Sequence, residues 1–83
     1  MYLHLGAGAV VRTDSIIGVF DLDKTSQSHI TRRYLAEAEK SGQVVNVADD
    51  IPKSFVVCRD GGKTTVYLSQ MLPQTLQRRL SNS

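Results

Sequence analysis

Eighty-three residues, 41% hydrophobic and 22% charged, are enough for one small core and exclude wholesale disorder. No apolar run approaches the ~18 residues of a membrane-spanning helix, and a single cysteine excludes a disulfide framework, as expected in a reducing cytosol. The net charge of +2 is unevenly spread: residues 1–50 carry five Lys/Arg against seven Asp/Glu, and residues 51–83 carry five Lys/Arg against Asp60 alone, which points towards an anionic partner.

Along the chain, Met1-Tyr2-Leu3-His4-Leu5-Gly6 reads as a strand with Leu3 and Leu5 on one face and Tyr2 and His4 on the other. A strand at the first residue predicts an uncleaved, cytoplasmic product. Gly6-Ala7-Gly8-Ala9 interrupts this strand as a turn or bulge, and Val10-Val11-Arg12 resumes it. The glycines do not read as a phosphate loop, because a strand follows them and no helix N-terminus does. Thr13-Asp14-Ser15 is a turn, and Ile16 to Leu22 is a β-branched, aromatic strand with Gly18 marking a bulge or a close approach.

Thr25, Ser26 and Ser28 are N-cap candidates for a helix over 28–41, whose apolar stripe is Ile30, Tyr34, Ala38 and the flanking Leu35. Lys40 suits its C-terminal dipole and Gly42 its C′ position. Val44 to Val47 is a short strand leading to the acidic turn Asp49-Asp50. Phe55-Val56-Val57-Cys58 is apolar on both faces and should be a central strand, with Cys58 a buried, inert thiol. Asp60-Gly61-Gly62-Lys63 turns the chain into an antiparallel return over Thr64 to Leu68. Leu72-Pro73 opens a short helix with Leu72, Leu76 and Leu80 on one side.

These elements predict an α+β fold. It is a small, mostly antiparallel sheet of about five strands with one long helix and a short C-terminal helix, forming one domain over 1–80 with 81–83 frayed. Ile30, Tyr34, Leu35 and Ala38 should pack the long helix on one sheet face, so that Tyr34→Ala costs about 3 kcal/mol. A marginal core, with Tyr2 and Phe20 to hide, predicts a homo-oligomer.

No catalytic constellation is present, and neither an enzyme nor a cofactor is expected. His4 and His29 sit outside any metal-ligand spacing, and Asp21 and Asp23 alone do not make a cation site. Arg32 and Arg33 lie on a solvated helix face, with Arg33 able to pair with Glu37. Arg78 and Arg79 suit a helix C-terminus. Arg12 and Lys53 are the candidate DNA contacts: each stands at a strand edge beside a turn, where a long cation can reach a phosphate.

Five phrases in order carry a resemblance that covers residues 1 to about 80. They are Met1 to Gly6, Ile16 to Asp21, Pro52-Lys53-Ser54-Phe55-Val56-Val57, Tyr67-Leu68-Ser69 and Thr75-Leu76-Gln77-Arg78-Arg79. Together they resemble the RemA/RemB family of small bacterial regulators. The resemblance implies a role in biofilm extracellular-matrix gene expression, with DNA-binding members that assemble into rings and present basic turns to DNA. One departure stands out. Where RemA-like chains carry an arginine cluster before the central strand, this chain has Asp49-Asp50-Ile51-Pro52-Lys53-Ser54, and like charge opposes phosphate at that turn. Two readings follow: a DNA-binding homo-oligomeric regulator using Arg12 and Lys53, or a non-DNA-binding assembly subunit that modulates a RemA-like partner.

Overall fold

The structure is a computed structural model and describes residues 1–22 and 29–82. The element order is β1 (Tyr2–Gly6), β2 (Ala9–Arg12), a 3-10 turn (Thr13–Ser15), β3 (Ile16–Asp21), α1 (His29–Lys40), β4 (Val44–Asn46), β5 (Ser54–Asp60), β6 (Lys63–Ser69) and α2 (Pro73–Ser81). The α+β class is as expected, but the sheet is not one sheet of about five strands. Among the described residues there is a four-stranded sheet, ordered β3-β5-β6-β4, and a separate β1-β2 hairpin.

The hairpin arises at the glycine-interrupted segment. Gly6, Ala7 and Gly8 all have positive φ, so the chain reverses, and Val10 to Arg12 folds back antiparallel on Tyr2 to His4 instead of extending the opening strand. β3 then leaves through the 3-10 turn and pairs antiparallel with β5.

β4 is the second difference, because it lies parallel to β6, with Val44 opposite Val66 and Asn46 opposite Leu68. A helical crossover returns the next strand in the direction of the one before it. β4 therefore runs with β3, and the tight β5–β6 hairpin is inserted between them.

The expectation of one long helix also fails. α1 has 12 residues and α2 has 9, both ordinary short helices. α1 stops where Gly42 takes a φ of 71°: the Gly42 N–H donates to the Glu39 carbonyl and the Gln43 N–H to the Ala38 carbonyl, which closes the last turn in a Schellman arrangement. The N-cap candidates Thr25, Ser26 and Ser28, and the acid Asp23, lie outside the described residues.

β5 is the spine, and its two-faced apolar reading holds. Val56 and Cys58 point into one core with Leu3, Leu5, Val11 and Leu76, beneath the hairpin and α2. Phe55 and Val57 point the other way, to Val66 and Ala38 beneath α1. Burial pushes the Cys58 thiol up from its ordinary pKa, and a side-chain hydrogen bond with Ser15 works against that rise. The thiol is thus held protonated and buried.

α1 does not use its whole expected stripe. Ala38 is buried and Leu35 packs beside it, but Ile30 is 81% exposed and Tyr34 42% exposed. Only the C-terminal half of the helix lies over the β6–β4 side of the sheet, where Val44, Val66 and Leu68 meet it. The penalty of about 3 kcal/mol expected for a core tyrosine therefore does not apply to Tyr34 within a single chain.

Candidate functional site

The two candidate DNA contacts are placed at opposite ends of the main sheet. Lys53 immediately precedes β5. Arg12, at the end of β2, shares a cavity of about 350 Å³ with Cys58 and Asp60 near the far end of that strand. A seven-residue strand spans roughly 20 Å, so one chain does not gather Arg12 and Lys53 into a single patch.

Arg12 is fixed by its turn. Its guanidinium donates to the Asp14 carboxylate at 2.8 Å, and the Ser15 hydroxyl donates to the Arg12 carbonyl at 2.7 Å. Both charged side chains are more than half exposed. Exposed pairs of this kind contribute about 0.2–1 kcal/mol. The pair therefore costs little to separate, and Asp14 holds the Arg12 side chain at the surface. The Arg-x-Asp spacing was the available sequence signal for this pair.

Lys63 was not among the residues singled out from the sequence. It lines the same cavity as Arg12, because the Asp60–Lys63 hairpin brings the β5–β6 turn beside the end of β2. Asp60 lies there too, so this end offers two cations and at least two carboxylates.

At the other end the acidic turn is held in place. The Gln70 side-chain oxygen accepts from the Asp49 and Asp50 N–H groups at 2.8 and 3.2 Å, and the Asp50 carboxylate accepts from the Ile51 N–H at 2.8 Å. Backbone bonds fix Lys53, whose N–H donates to Ser69 and whose carbonyl accepts from Leu22. Its side chain lines a second cavity, of about 340 Å³, together with Asp50 and Gln70. Lys53 thus shares a cavity with Asp50, whose negative charge weakens its pull on an anion.

Arg59 lies on β5 and donates to the Thr64 hydroxyl at 3.5 Å, and other described cations lie on the helices. Arg33 pairs with Glu37 at 3.9 Å, one turn on, with both side chains largely exposed. Arg78 and Arg79 occupy the last turn of α2. Among the described residues no group of His, Cys, Asp and Glu could hold a metal ion, and no helix is long and apolar enough to cross a membrane.

Comparison with known proteins covers nearly the whole chain. Residues 2–80 match the family model described as RemA-like, extracellular matrix regulatory protein A-like. The chain is also similar to extracellular matrix regulatory protein B of Bacillus subtilis (strain 168), with 35% identity over 79 residues that cover 95% of this chain and 89% of the relative.

Proposed function

Because the chain belongs to the RemA-like family of extracellular matrix regulatory proteins, we propose that it regulates extracellular-matrix genes as a cytoplasmic, non-enzymatic, DNA-binding homo-oligomer. The observation that carries this reading is the family match across residues 2–80. DNA contact is assigned to Arg12 and Lys53 on their turns, with Lys63 beside Arg12. The helices make poor readers of the major groove. α1 spends Leu35 and Ala38 on the core and mixes Arg32 and Arg33 with Glu37 and Glu39 outside. The three assigned cations of a single chain are split between two ends of the sheet, each near a carboxylate, so affinity must come from repetition of weak phosphate contacts around an assembly.

A second reading rests on the ordered Asp49-Asp50 turn. Two carboxylates on an ordered backbone turn near Lys53 oppose phosphate and suit a basic protein surface, which favours an assembly subunit acting on a RemA-like partner.

Electrophoretic mobility shift at graded salt separates the two. Under the first reading the protein retards DNA at low salt, and retardation falls steeply as salt rises. The double substitution Arg12→Ala with Lys53→Ala should weaken binding at least tenfold, alike across DNA sequences, and flatten the salt dependence while leaving fold and mass unchanged. Undiminished binding by the double variant would remove these residues from the site. No retardation of any DNA at low salt would leave the assembly-subunit reading in its place.

A further inference from the structure

We infer that the apolar groove between α1 and β3 is where a second copy of this chain docks. The inference rests on the homo-oligomer reading above and locates its interface. The groove is built by two departures from regular structure. A bulge between Ile16 and Gly18 in the β3–β5 pairing turns Ile17 to the α1 side of the sheet, the side on which Phe20 also lies. Gly18 lets the Phe20 ring fold back across the strand, since a Cβ there would meet that ring at 2.8 Å, and Phe20 stacks on Phe55 with centroids 5.0 Å apart. Opposite them, Ile30 and Tyr34 stand on the half of α1 that does not cover the sheet, so the four side chains line an open space of about 550 Å³.

The size and makeup of this surface and the open strand edge beside it suit a second copy. The exposed parts of Ile17, Phe20, Ile30 and Tyr34 amount to roughly 400–500 Å² of largely apolar surface, about half of the ~800 Å² that each partner gives to a stable interface. That matches the largest apolar patch of a typical monomer, about 300–600 Å² and often functional, on a chain of only 83 residues, and it holds two of the five aromatic residues. Of the segment joining β3 to α1, Leu22 already packs against the Phe55, Val57 and Val66 core, and Asp-Lys-Thr-Ser-Gln-Ser over 23–28 carries no large apolar side chain in its sequence. β3 borders the groove and pairs with β5 alone among the described strands, without the lysine or proline that commonly guards a sheet edge. A second copy covers the apolar side chains and the strand edge together.

The test is light scattering at micromolar concentration on the full chain and on Ile30→Glu, Ile17→Glu and, as a comparison, Ile51→Glu. Ile51 is nearly as exposed as Ile30 but lies on the acidic turn, and circular dichroism checks that every variant keeps its fold. The parent and Ile51→Glu should form assemblies of the same mass, and both groove variants should fall to about 9.2 kDa. Groove variants that keep the parent mass would overturn this inference and leave the homo-oligomer reading standing. Equal dissociation by Ile51→Glu would also overturn it. A parent already at 9.2 kDa would overturn both.

Discussion

Leu76→Ala is expected to lower the stability of the fold by about 3–4 kcal/mol. Leu76 is fully buried and is the side chain through which α2 enters the core formed with Leu3, Leu5, Val11, Val56 and Cys58. A nine-residue helix is not stable alone, so α2 exists because Pro73 starts it and Leu76 docks it. Truncation leaves a cavity under the β1–β2 hairpin, whose neighbours are tied to the sheet and can only partly close it. A domain of this length has a total stability of about 4–12 kcal/mol, so the loss is a large share. Urea denaturation followed by circular dichroism measures it, with the exposed neighbour Gln77→Ala as a reference expected within about 0.5 kcal/mol. A loss below about 1 kcal/mol for Leu76→Ala would mean that α2 does not belong to the core.

Ser69→Ala is expected to cost about 2–3 kcal/mol, although it removes a single oxygen atom. The Ser69 hydroxyl is fully buried, donates to the Leu5 carbonyl at 2.7 Å and accepts from the Met71 N–H at 3.1 Å. One atom thereby joins β1, the end of β6 and the segment leading into α2. Its partner in register, Ser54, does similar work by donating to the Met71 carbonyl at 2.8 Å. Alanine fits the space but deprives the buried Leu5 carbonyl and the partly buried Met71 N–H of this partner. The exposed Ser81→Ala, which removes a bond to the Gln77 carbonyl, should change stability by less than about 0.5 kcal/mol. Equal effects of the two alanines in denaturation would contradict the bridging role of Ser69. Faster hydrogen exchange at the Met71 amide in Ser69→Ala would support it.

Local order was legible where a residue's chemistry answers to its chain neighbours. The Asp60-Gly61-Gly62-Lys63 turn pairs its flanking residues as expected, Gly42 closes α1, Pro73 opens α2, and Arg33 pairs with Glu37. The double-sided burial of Phe55 to Cys58 was legible too, because a strand apolar at every position needs cover on both faces. Arg12 and Lys53 could be placed at strand-edge turns with Asp14 and Asp49-Asp50 near them in sequence, but not the approach of Asp60 and Lys63 to Arg12 or the separation of the two cations along β5.

The sequence by itself determined the segments, their turns and the central strand, because backbone conformation and side-chain alternation are short-range properties. Tertiary structure decided which face each element finds. The stripe Ile30, Tyr34, Leu35 and Ala38 shows which residues share a side of α1, but not how far the sheet extends beneath it. Because α1 sits over β6 and β4, Leu35 and Ala38 are covered while Ile30 and Tyr34 open onto the groove. Likewise, the parallel pairing of β4, the separate hairpin, and the buried roles of Ser54 and Ser69 come from contacts between residues far apart in the chain. Periodicity carries no record of such partners, since it is set by the neighbours of a residue in sequence and not by what packs against it.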